Sequence, residues 1–87
     1  MKIDIDKVPI EIKNNVYRAY RWAKKTLTYV EGHGHHIVLS RKYNNHKLIC
    51  CSFAKPEWPG DHSGSYQETA AMAIVTSVIE YLNFGEY

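Results

Sequence analysis

Residues 65–82 read SYQETAAMAIVTSVIEYL. Ala70, Ala71, Ile74, Val75, Val78, Tyr81 and Leu82 recur at the spacing of one helical face, and Met72 and Ile79 widen that face into a broad arc. Only Thr69, Thr76 and Glu80 form a polar strip. Ser65 followed by Glu68 fits a capping box, so the pattern predicts a helix from about residue 65 to 82. A helix this apolar is either sandwiched inside its own fold or supplies half of a self-association surface. Met72 and Ile79 are therefore candidate partner-contact residues.

Working outward, residues 55–62 (KPEWPGDH) form a turn-rich connection. Trp58 stands between Pro56 and Pro59, and such a stiff loop can present an aromatic anchor, so Trp58 joins the candidate interface. Before it, residues 36–40 and 48–54 are rich in Ile, Val, Leu, Cys and Phe, with Tyr43-Asn44-Asn45-His46 between them. This predicts a β-hairpin. A two-residue Asn44-Asn45 loop would set Leu39 opposite Cys50, Val38 opposite Cys51 and Lys42 opposite Lys47. Cys50 and Cys51 would then point to opposite faces as reduced core residues, since adjacent strand cysteines cannot bridge without strain.

Residues 10–28 change to a period of 3.6 after Pro9, a residue that suits a helix start. Ile12, Val16, Ala19, Tyr20, Ala23 and Leu27 make the expected core stripe, with Trp22 and Tyr29 on its flank. Gly32 and Gly34 stop the helix. Residues 1–8 (MKIDIDKV) alternate apolar and charged side chains, the signature of an edge strand. The expected fold is one small α+β domain over residues 1–87, in the order β-α-β-β-α. Its two helices would pack on one face of a small antiparallel sheet.

With 87 residues, the chain has room for one limited core, and self-association would enlarge it. No apolar run resembles a secretory leader or a membrane span, which points to the cytoplasm. The net charge of +2 conceals an imbalance. Residues 1–47 carry ten Lys/Arg against four Asp/Glu, whereas residues 48–87 carry one Lys against five acids. Such a division bears on partners rather than on fold.

The basic residues Lys13, Arg18, Arg21, Lys24 and Lys25, with Tyr17 among them, fall on the face opposite the core stripe. A nucleic-acid backbone, an acidic protein surface or solvent alone would suit that face. Arg41, Lys42 and Lys47 at the hairpin tip would extend it. His33, His35 and His36 lie close together, but they lack the spacing of a zinc site, so they are weak candidates and no metal or cofactor is expected. Asp61-His62-Ser63 has triad composition without triad geometry, because sequence neighbours do not converge as a triad must. No nucleophile elbow or phosphate-binding loop occurs, and an enzyme is not expected.

Within residues 36–82 a strand ends in Ser52-Phe53, a Pro59-Gly60 turn and Ser63-Gly64 follow, and then come Glu68, Ala70 and Ala71 in a helix that closes on Tyr81-Leu82. In these features the stretch resembles the HicB-type antitoxins. The resemblance implies a small non-catalytic protein that binds and neutralises another protein and self-associates. The family's Gly-x-Thr before the helix is replaced here by Gly64-Ser65-Tyr66, and residues 1–35 lie outside the pattern. The sequence thus points to a homo-oligomeric binding or inhibitory protein acting through protein contact, with nucleic-acid or phosphate binding by the basic face as the alternative.

Overall fold

The computed structural model describes residues 3–31, 36–54 and 62–84. A 3-10 turn, Ile5–Lys7, leads into α1, Ile10–Lys13, and α2, Val16–Glu31. Strands β1, His36–Lys42, β2, Asn45–Ala54, and β3, His62–Ser63, follow, and α3, Ala70–Phe84, closes the fold. The class is α+β, as expected, but the order is not: no strand opens the chain, and α1 and α2 precede all three strands. Among the described residues no helix is long and apolar enough to cross a membrane.

The expected first strand is a turn. The Asp4 side chain accepts a hydrogen bond from the Asp6 N–H at 3.0 Å, and the Lys7 N–H bonds back to the Asp4 carbonyl at 3.0 Å. Aspartates that bond to nearby backbone compete with extended structure in this way. Ile3 is held by the end of α3 instead of by a sheet. Its N–H donates to Asn83 Oδ1 at 2.8 Å, and its carbonyl accepts from Asn83 Nδ2 at 3.0 Å. The alternation in residues 1–8 therefore reports burial rather than strand, with Ile3 and Ile5 half-buried against the core and Val8 inside it.

The single helix expected over residues 10–28 is broken in two. Asn14 ends α1, and the Asn15 side chain caps α2 by accepting from the N–H groups of Tyr17 and Arg18, both at 3.1 Å. A cap of this kind satisfies donors that a continuous helix would have bonded internally. In α2, Ala19, Ala23 and Leu27 are fully buried, four residues apart. Tyr20, expected on the same stripe, is exposed beside it.

The hairpin register differs by one residue from the expected one. Tyr43 and Asn44 make the turn, Lys42 pairs with Asn45, and a bulge follows, so that Arg41 pairs with Ile49. Leu39 thus faces Cys51, Ser40 faces Cys50 and Val38 faces Ser52. Lys42 no longer opposes Lys47, which removes the like-charge pair that the simpler loop would create. The bulge is held by Arg41 Nη1, which donates to the His46 carbonyl at 2.7 Å, and by the Lys47 N–H, which donates to Asn45 Oδ1 at 3.1 Å.

The strands run in the order β1-β2-β3. The helix expected from residue 65 starts only at Ala70, and residues 64–67 instead track the free side of β2. The Gly64 N–H donates to the Cys51 carbonyl at 3.1 Å, and Ile49 and Gln67 exchange backbone hydrogen bonds of 2.7 and 2.8 Å. Ser65 does not form the capping box. Its N–H and hydroxyl both donate to the Glu80 carboxylate, at 3.1 and 2.5 Å. Thr69 caps α3, its Oγ1 accepting from the Met72 N–H at 3.2 Å. The unpaired edge of β2 outcompetes the local helix signal.

α3 packs against both β2 and α2, while α2 packs on α3 and α1. The expectation of two helices lying on the sheet is corrected to a stack in which α3 is the middle layer. This accounts for burial around most of its circumference: Ala71, Ala73, Ile74, Val75, Ser77, Val78, Ile79 and Leu82 are all inside. On the sheet side, Phe53 meets Tyr81 edge-to-face at 5.0 Å, and Ser77 Oγ donates to the Cys51 carbonyl at 3.0 Å. A Cβ on Gly64 would lie 2.7 Å from Ser77 Cα, so only glycine allows this approach.

Candidate nucleic-acid interface

The buried alanines of α2 fix which way the helix faces. With Ala19, Ala23 and Leu27 turned inward, Tyr17, Arg18, Arg21 and Lys25 are all exposed. Tyr17 is 78% exposed and Tyr29 83%, values that no packing requirement explains. Lys24 is half-buried, with Nζ 5.7 Å from the centroid of the Tyr20 ring, within cation–π range. Tyr20, Arg21, Lys24, Lys25, Thr28 and Tyr29 border a shallow depression on this face. No acid occurs between Glu11 and Glu31. The face is therefore uniformly cationic and studded with aromatic rings.

Lys13 does not join it in the expected way. The break at Asn14 places it on α1, where its ammonium donates to the Ile5 carbonyl at 3.3 Å. The hairpin-tip cations are also separate. Arg41 is tied to the His46 carbonyl, Lys42 sits over the Tyr66 ring at 5.3 Å, and Lys47 and Tyr43 are both exposed. They belong to the sheet layer, and α2 packs on α3 instead of on that sheet. The structure thus divides the expected basic surface into two patches, one on α2 and one on the hairpin.

Of the candidate interface residues, Ile79 is in the core at 9% exposure and Met72 is half-buried in the first turn of α3. Met72 lines a groove with Ile5, Ile10, Lys13 and Thr69. Trp58 lies outside the described residues, as do Asp61, His33 and His35. His36 begins β1 and is exposed. Among the described residues, no three His, Cys, Asp or Glu side chains are grouped to hold a metal ion.

Cys50 and Cys51 are free and buried, on opposite faces of β2. Cys50 Sγ donates to the Gly64 carbonyl at 3.1 Å. Burial pushes the Cys51 thiol up to about 11, against an opposing pull from the Ser77 hydrogen bond. At neutral pH Cys51 is protonated, which makes it a packing group and not a nucleophile.

Sequence reasoning missed Tyr20 and Tyr29 as members of the α2 face. The i, i+4 pairing of Tyr20 with Lys24 was the available signal, since an aromatic ring at the margin of a stripe can turn outward to meet a cation. No family model, curated protein or solved structure matches this chain.

Proposed function

We propose that this chain is a small non-enzymatic binding protein of the cytoplasm whose α2 outer face binds single-stranded nucleic acid. The observation that carries the reading is the exposure of Tyr17, Tyr20 and Tyr29 among Arg18, Arg21 and Lys25 on a helix face that has no acid. Guanidinium and ammonium groups neutralise phosphates and release counterions. Exposed tyrosines offer flat surfaces on which unpaired bases stack, at about 1–3 kcal/mol per base. A duplex keeps its base faces internal, so the aromatic component of this surface favours a single strand. Lys24 Nζ, 5.7 Å from the Tyr20 ring centroid, keeps a further cation beside that ring.

The test is fluorescence anisotropy with a short labelled single-stranded oligonucleotide. The double substitution Arg18→Glu with Arg21→Glu removes binding. Affinity falls with salt at a log–log slope of about −2, as expected for roughly three phosphates on a single strand. Absent or salt-insensitive binding by the unaltered chain rejects the proposal.

A second reading takes the resemblance to HicB-type antitoxins at face value: a self-associating inhibitor that occupies a protein partner. It is favoured by the hairpin, short strand and Ala-rich helix following one another over residues 36–84. Recovery from source cells of one specific stoichiometric protein partner, unaffected by the Arg18→Glu/Arg21→Glu change, would support it over the first.

A further inference from the structure

Among the described residues the sheet has one long open edge. β1 is paired only with β2 among the described residues, and it lies at the end of the strand order. Edge strands in monomeric proteins are usually blunted by proline, charge or a bulge. Here the bulge and both cations are confined to the Arg41/Lys42 end. Residues 36–40 (HIVLS) have no proline and no acid, and Val38 and Leu39 are 46% and 39% exposed.

We infer that β1 pairs antiparallel with β1 of a second copy, across a two-fold axis at Leu39, joining two sheets into one of six strands. The register argument selects this occupant. Centring on Leu39 uses all seven residues of the strand. It opposes Leu39 to Leu39, Val38 to Ser40, Ile37 to Arg41 and His36 to Lys42. No two Lys/Arg side chains stand directly opposite one another. A register centred on Arg41 or Lys42 would oppose identical cations, which is unfavourable. The charges are all at one end of β1, so antiparallel self-pairing carries the two basic ends to opposite ends of the seam. A parallel arrangement would stack them. An acidic partner strand would complement only that end and leave the apolar centre unmatched. The two-fold is perpendicular to the sheet, so both copies keep α3 on the same face of the joined sheet. With a net charge of only +2, two copies repel weakly. Self-pairing also enlarges a core that 87 residues can only partly supply. The inference is independent of what α2 binds.

Sedimentation velocity on the full chain tests it, using Leu39→Lys and Leu39→Glu separately and mixed. The unaltered chain sediments as a dimer. Each variant alone sets two like charges against each other across the axis and weakens dimerisation by about tenfold or more, while an equimolar mixture regains the dimer through opposite charges. The regained dimer shows that both variants fold. A monomeric unaltered chain overturns the inference, including the case in which an added extended acidic peptide binds to it through β1. A dimer unmoved by either variant, or a mixture that does not regain it, also overturns it.

Discussion

α2 and α3 are nearly equal in length, at 16 and 15 residues, yet their relations to the core are opposite. α2 buries a narrow line of Ala19, Ala23 and Leu27, and turns tyrosines and cations outward. α3 buries Ala71, Ala73, Ile74, Val75, Ser77, Val78, Ile79 and Leu82, because α2 and β2 both pack on it. The difference separates two tasks. Apolar side chains on α3 hold three layers together, whereas those on α2 need only attach one helix. The rest of α2 is released from stability requirements, and large aromatic rings left in solvent there need a reason other than packing.

Substitutions sharpen this contrast. The largest effect is expected in the middle layer: Ile74→Ala, at a fully buried position, lowers unfolding free energy by about 2–5 kcal/mol in urea denaturation. Next comes the seam between α3 and residue 64. Gly64→Val drives side-chain atoms into Ser77 and costs about 1–3 kcal/mol, seen as a lower melting temperature. On α2 the stability effects shrink. Asn15→Ala removes the cap and costs about 1 kcal/mol, with reduced helicity by circular dichroism. Arg18→Glu with Arg21→Glu changes stability by no more than about 0.5 kcal/mol while it removes binding to single strands. An α2 double variant as destabilised as Ile74→Ala would break the division of labour between the helices.

The same contrast explains how much was legible in the sequence. The apolar pattern in residues 70–82 left two options, a helix sandwiched in its own fold or half of a self-association surface, and the structure encloses most of it within its own fold. The core line of α2 was readable because Ala19, Ala23 and Leu27 keep strict helical spacing. Features set by competition between local and distant partners were not readable. Ser65 and Glu68 form a convincing capping box, yet Ser65 bonds to Glu80 fifteen residues away because β2 draws residues 64–67 alongside it. Asn15 lies inside the stretch whose periodicity predicts one helix over residues 10–28, but its side chain ends that continuity by capping the helix that follows. The bulge after Arg41 moves the pairing from Lys42–Asn45 to Arg41–Ile49 and leaves the strands one residue off the register of a simple Asn44-Asn45 loop, which no propensity at the turn determines. For the candidate site, the cations of α2 were legible from spacing. The separation of the hairpin cations was not, because it depends on α3 lying between the sheet and α2.

The most direct test of the central claim, that the outer face of α2 is the working surface, is the salt dependence of single-strand binding measured side by side for the unaltered chain and the Arg18→Glu/Arg21→Glu chain. The account predicts a steep, salt-sensitive isotherm for the first, with a log–log slope of about −2, and none for the second at equal stability. Equal binding by the two chains, or none by either, would contradict it.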